Sequence, residues 1–256
     1  MSTSKIAFFG ATGDCAGYCL VSALTAGQDC VALARTPAKL TKSLKDKGVP
    51  TEALDQHLTI TQGNVKDVEA VKTALQIKGD VVDFIVSGIG AAPKYQWSLR
   101  QPFSLDDPKV CQSAGSTILQ ALRELNSEKK PVMINVMTTG IPPEGKPWDV
   151  PKLFTWLYYY MLQVPHEDKG ALQEMLAKHV QLPEEQKALS GFVNVKASLL
   201  MDGKSLGLQT VREGVEDAPA IGYTIRRSDV GLWIYERLLK TGVKDEWLNK
   251  GVCITY

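Results

Sequence analysis

The chain has 256 residues, 44% of them hydrophobic and 22% charged, with 29 basic side chains against 28 acidic ones. A chain this long buries roughly three quarters of its unfolded surface, so it needs no disulfide or metal to hold a fold. A formal net charge of +1 excludes a whole-molecule field for nucleic acid or an anionic membrane, and no stretch reaches the roughly 18 apolar residues of a membrane span.

Short runs rich in Val, Ile and Phe alternate with helical patterns along the first half. Ile6–Phe9 predicts a strand and Asp14–Ala26 a helix. Cys30–Ala34 and Ala38–Lys47 repeat that order, followed by Leu58–Thr61 and Val68–Ile77. Val81–Val86 then leads to a helix over Val110–Leu125, and Val132–Val136 and Phe192–Val195 complete six strands. Buried strands alternating with helices predict a doubly wound α/β fold, a parallel sheet covered on both faces with ligands beyond the strands' carboxyl ends.

The second half is less regular. Pro142, Pro143, Pro147 and Pro151 break the stretch after the fifth strand, and an aromatic, helix-like segment follows over Leu153–Leu162. Met201–Ala220 reads as loops or a small C-terminal substrate lobe, and helix returns at Ser228–Leu239. The expectation is one domain over 1–256, with substrate-specific insertions mainly at 141–165 and 201–225.

Gly10-Ala11-Thr12-Gly13-Asp14-Cys15-Ala16-Gly17 follows the first strand and opens the first helix. A pyrophosphate there is held by backbone N–H groups and the positive helix end, so side chains must be absent where it approaches. Gly10 serves the tight turn and Gly13 the close approach. The third glycine of the Rossmann pattern, which lets helix and strand pack closely, is Ala16 here, with Gly17 next. A turn that binds nothing is the alternative. At the end of the second strand, a free ribose 2′-hydroxyl calls for a carboxylate and a 2′-phosphate for a cation. Arg35 fills that slot, with Lys39 one turn on and no acid before Asp46, so NADP is favoured over NAD.

On these residues the chain resembles the atypical short-chain dehydrogenase/reductases of the NmrA-like NAD(P)-binding group. The likeness continues at Gly63-Asn64-Val65-Lys66-Asp67, which corresponds to the segment beside the adenine. Ser87-Gly88-Ile89-Gly90 corresponds to the segment along the nicotinamide ribose. Thr138-Thr139-Gly140 stands at the place of the family's catalytic serine, Asp168-Lys169 on the helix of its lysine, and Ser228–Gly231 in its late strand-to-helix segment. The general look is that of fungal secondary-metabolism members similar to averufin-oxidase-like proteins. The resemblance implies cofactor contacts at Gly10, Thr12, Gly13, Asp14, Cys15, Arg35, Asn64, Val65, Ser87, Gly88 and Lys169.

One departure concerns the chemistry. Full-triad relatives carry a tyrosine four residues before the lysine, and here that residue is Pro165, which has no proton to give. Lys196-Ala197 likewise replaces an Arg-Pro pair. Candidates for the missing acid are His166 and Tyr160, the latter from the Tyr158–Tyr160 run, while Thr138 or Thr139 could orient a substrate carbonyl and Lys169 completes the catalytic candidates. Lys169 has the alternatives of a cofactor contact, a depressed pKa, or a surface pair with Glu167. Trp97, Phe103, Trp148 and Trp156 fall in or beside post-strand loops and would suit an apolar substrate, whereas Trp233 and Trp247 fit the core.

Cys15 stands at a helix N-terminus, which lowers a thiol's pKa, although packing of a small residue is the simpler role. Five cysteines without a CxxC pair, together with three histidines, give no metal-ligand spacing and predict free thiols in a reducing, cytoplasmic setting. The leading expectation is an NADP-dependent oxidoreductase for a small apolar or polyketide-like carbonyl compound, working as a monomer or homodimer. The alternatives are a redox-neutral enzyme catalysing cyclisation, dehydration or isomerisation, and a dinucleotide-sensing regulator.

Overall fold

Eight strands form one sheet in the computed structural model, which describes residues 4–91, 93–95, 103–156 and 163–256. In chain order they are β1 (Ile6–Phe9), β2 (Cys30–Ala34), β3 (Leu58–Gln62), β4 (Phe84–Ser87), β5 (Val132–Thr138), β6 (Gly191–Ala197), β7 (Arg212–Val215) and β8 (Lys250–Thr255). Their spatial order is β7-β8-β6-β5-β4-β1-β2-β3. Every pairing is parallel except β7 with β8, which closes one edge antiparallel. The order reverses between β1 and β4, the place where a doubly wound sheet opens a crevice for ligands.

Among the described residues seven helices flank it: α1 (Asp14–Thr25), α2 (Pro37–Asp46), α3 (Thr51–His57), α4 (Val68–Ala74), α5 (Val110–Leu125), α6 (Gln163–His179) and α7 (Arg227–Ile234). Alternation along β1 shows why both faces are covered. Ile6 and Phe8 enter a core with Leu20, Leu40 and Trp233 from α1, α2 and α7. Ala7 and Phe9 enter the opposite core with Val71, Ile118 and Leu172 from α4, α5 and α6. All four strand residues are fully buried, and each large one contributes roughly 2–3 kcal/mol.

The structure corrects several boundaries. The Val68–Ile77 helix stops at Ala74, because Gln76–Ile77 turns back on Asp80–Val81 through Lys78 and Gly79, both at positive φ. Two left-handed residues are what a tight hairpin requires. The sheet has two more strands than expected, and β7 lies within the stretch read as a lobe. What remains of that lobe is a ribbon of Leu199–Met201 beside Thr224–Arg226, with a short turn at Leu208–Thr210. The helix starting at Arg227 changes at Tyr235–Leu239 into a π-turn.

Asp229, fully buried on α7, ties this lobe down. It accepts hydrogen bonds from Ser205 Oγ and Tyr256 Oη, and from the backbone N–H of Leu206 (3.0 Å) and Gly207 (3.1 Å). Burial alone would raise its pKa, but the donors hold it below the ordinary carboxylate value. Gly231, two residues on, lets α7 lie against α1. A Cβ there would stand 2.6 Å from Cys15 O and Cys19 N.

Candidate functional site

At the crevice the chain leaves β1 through Gly10, at φ +75°, and enters α1 at Gly13. Neither position tolerates bulk: a Cβ on Gly10 would sit 2.8 Å from the Gly88 carbonyl carbon, and one on Gly13 3.2 Å from Gly10 O. Ala16 is accommodated from across the turn, because residue 88 is glycine and a Cβ there would stand 2.6 Å from that of Ala16. Gly17 keeps clear of Ala11 O, which a Cβ would approach to 2.9 Å. Backbone thus lies bare where a diphosphate would meet the positive end of α1, and the loop fits a dinucleotide.

A cavity of about 390 Å³ opens beside this loop, lined by Gly10, Thr12, Gly13, Arg35, Asn64, Val65 and Gly88 from the expected set. Arg35 is exposed and makes no hydrogen bond or ion pair with a described residue. The post-β3 wall is shaped by Asn64, whose side chain accepts from the Lys66 N–H at 3.1 Å and whose carbonyl accepts from the Asp67 N–H at 2.9 Å. Asp67 then caps α4 through the N–H groups of Glu69 and Ala70. A Cβ on Gly63 would collide with Ala70 at 2.5 Å, so that wall too depends on a missing side chain.

Asp14, Cys15, Ser87 and Lys169 do not line the cavity. Asp14 pairs with Lys47 at 2.9 Å, which offsets a carboxylate that would otherwise repel phosphate at the helix end. Cys15 is buried, and desolvation raises its thiol to about 11, overturning the expectation of a helix-lowered pKa. All five cysteines are free and buried. Asp106 and Asp107 also line the cavity and were not foreseen; Asp107 pairs with Lys66 at 2.6 Å across its mouth. Two acids before Pro108 and a helix are the turn signal that could have marked them.

Lys169 points inward from α6 and donates to the Val136 carbonyl at 2.7 Å, two residues before Thr138 on β5. It does not pair with Glu167, which accepts from Gln163. Burial pushes its amine below the ordinary lysine value, opposed by the thiols of Cys111 and Cys15 and by Asp168. Asp168 is itself buried and accepts from the N–H groups of Cys111 (2.8 Å) and Gln112 (2.9 Å), joining α6 to the start of α5. His166 lies one turn before Lys169. Desolvation, then the charge of Lys169, lowers it to about 4, so its ring is neutral at pH 7.

Thr138 donates to Thr139 O at 3.1 Å at the end of β5. The chain beyond is held by Asp149, which accepts from the Gly140 N–H at 2.7 Å and lies 3.9 Å from fully buried Lys196. Trp148 and Trp156 are 42% and 67% exposed and line neither this cavity nor the larger groove beyond α6. Trp233 and Trp247 are buried against each other, with ring centroids 5.4 Å apart. Trp97, the side chain of Phe103, and Tyr160 lie outside the described residues.

No family model matches the chain. It is 42% identical over 269 residues to a protein named reductase pytE from Aspergillus terreus, all of both chains being covered. It is 34% identical over 288 residues to oxidase pynE from Aspergillus niger, covering 100% of this chain and 99% of that one. Among solved structures, the anaerobillin reductase ChuY of Escherichia coli superposes with a TM-score of 0.65 at 17% identity, over 98% of this chain and 96% of that one. The yeast methylglyoxal/isovaleraldehyde reductase Gre2, solved with NADPH, gives 0.63 at 9% identity, over 96% and 76%. At such identities these two establish the fold alone.

Proposed function

Because the chain belongs to the NmrA-like, atypical short-chain dehydrogenase/reductase family, we propose that it is an NADP-dependent oxidoreductase acting on a small apolar or polyketide-like carbonyl compound. The observation that carries the cofactor choice is the guanidinium of Arg35 at the end of β2, on the wall of the glycine-loop cavity and without a partner among the described residues. A planar cation there matches a 2′-phosphate, and Asp107, which lines the same cavity, is engaged by Lys66. Fungal relatives named as a reductase and as an oxidase support redox chemistry and leave its direction open.

The bound nicotinamide would supply or take up the hydride. The protein's own part is to place the substrate oxygen and move one proton to or from it. With Pro165 at the tyrosine position, Lys169 is the residue suited to that proton: its ammonium is desolvated and more acidic than an ordinary lysine. The Val136 carbonyl and the α5–α6 tie through Asp168 hold it in place. Thr138 orients the substrate oxygen. Neutral His166 adds a hydrogen-bonding ring beside Lys169 rather than a second charge. Exposed Trp148, Leu153, Trp156 and Tyr223 provide apolar surface for the substrate.

The same exposed side chains suit a second reading, a dinucleotide-sensing regulator that docks on a protein partner. Titration of the purified protein with NADPH and NADH, followed by energy transfer from tryptophan, tests the first reading. NADPH binding at least tenfold tighter than NADH is the expected result; binding of neither would overturn it. Labelled-hydride transfer to a carbonyl library, lost in Lys169→Met with NADPH binding retained, separates the enzyme from the sensor.

A further inference from the structure

A groove of about 920 Å³ runs between α6 and the face of β6 and β8, and it shares no lining residue with the cofactor cavity. Its size lies in the range of small-molecule sites. Pro142, Pro143 and Phe192 give it apolar walls, while Asn194 from the sheet and Gln173 from the helix both line it.

The amides in and behind this groove are under-used. Asn194, only 1% exposed, stands opposite Asn135 in the β5–β6 register, and Asn135 Nδ2 donates to Asn194 Oδ1 at 3.1 Å. That pair leaves Asn135 Oδ1 buried without a partner, and Asn194 Nδ2 with none among the described residues. From α6, Gln173 Nε2 reaches the Ile141 carbonyl at a long 3.5 Å, and its Oε1 is buried without a partner. Buried amides left in this state cost stability that a plain apolar core would not. A ligand that completes them recovers that cost. The broad terminal torsion of Gln173 lets it turn either end of its amide to an occupant.

The complementary chemistry is a planar group with donor and acceptor side by side. Asn194 Nδ2 takes the acceptor and Gln173 Oε1 the donor, while the apolar walls take the rest of the molecule. Around the rim Glu144, Glu174 and Glu216 outnumber Lys178 and Lys250, so the groove does not favour an anion. We propose that this groove is a second ligand site, for a neutral apolar molecule bearing a carboxamide edge. An ionised carboxylic acid of the same shape lacks the donor and would face bare acceptor oxygens.

The test uses the full chain saturated with NADPH, so that the cofactor cavity is filled, and 4-fluorobenzamide as probe with fluorine NMR line broadening as readout. Saturable binding in the millimolar range is expected, at least tenfold weaker for 4-fluorobenzoate. Gln173→Leu, which removes the acceptor, and Ala177→Trp, which fills the groove from an exposed helical position, should each weaken it at least tenfold. An unchanged melting temperature and unchanged NADPH affinity would show both variants folded. No saturable binding, equal binding of amide and acid, or binding indifferent to both substitutions would overturn the proposal. A failure of NADPH to bind at all would count against the cofactor reading instead, and the probe series would then be run on the chain alone with the same expected outcomes.

Discussion

Gly88 and Ala16 share the space of a single methyl group: a Cβ on Gly88 would stand 2.6 Å from the Cβ of Ala16. The helix after the phosphate loop carries an alanine where the dinucleotide pattern has glycine, and the residue just past β4 is a glycine that makes room for it. Gly88→Ala should overpack this contact by about 1–3 kcal/mol, lowering the melting temperature by roughly 2–4 °C per kcal/mol for a chain of this size. Ala16→Gly introduced with it should recover part of the loss despite its own helix cost of about 1 kcal/mol. Thermal unfolding of the two single variants and the double variant measures this, and strict additivity would show that the two residues do not share the space.

Arg35 offers a separable effect on the cofactor. Arg35→Ala should weaken NADPH binding by roughly 10- to 100-fold, the range for one charge-assisted contact to phosphate, and leave NADH within about threefold. A parallel loss for both dinucleotides in fluorescence titrations would mean that Arg35 does not read the 2′-phosphate.

These two cases mark what the sequence made legible. The first six strands stood out because runs such as Ile6–Phe9 and Cys30–Ala34 are buried on both faces and therefore apolar throughout. β7 did not, because Arg-Glu-Gly-Val is a part-exposed edge strand with no apolar run. β8 carries only Val252, Cys253 and Ile254 between a lysine and the chain's last residues, too short a run to separate from loop. α3 was missed because Leu54 is its single buried side chain, so no periodicity shows. At the site, Gly10 and Gly13 were readable because backbone clearance there demands a missing side chain. The Asp107–Lys66 pair and the Gly88–Ala16 exchange are long-range meetings that local spacing does not encode.

Protonation of His166 should make stability depend on pH. Its folded pKa, about 4, lies below the ordinary value of 6.5, so the unfolded chain binds the proton more readily. Stability is therefore full above about pH 6.5 and falls as pH drops towards 4, by up to about 3 kcal/mol from this group. Chemical denaturation of the wild type and His166→Gln between pH 4 and 7.5 should give stability curves that run parallel near neutrality and separate in acid, where only the wild type pays for protonating a buried ring. Curves parallel over the whole range would show that the ring is hydrated in the folded state.

Asp168 joins α6 to the first turn of α5 by accepting two backbone N–H groups. Asp168→Ala strands both donors in a buried place, at about 1–3 kcal/mol for each. The melting temperature should fall by several degrees, with Asp168→Asn, which keeps one acceptor oxygen, between it and the wild type. If Lys169 depends on this tie for its position, hydride-transfer activity should fall further than NADPH binding in both variants.

The placement of β8 governs how the sheet is completed. It lies between β6 and β7 and hydrogen-bonds to both, yet it follows both in sequence. While the chain emerges from the ribosome, β6 therefore presents an unpaired edge, and β7 has no strand to join until residues 250–255 arrive. An open edge of that kind templates wrong pairings. The order of synthesis thus leaves this part of the sheet to be completed last.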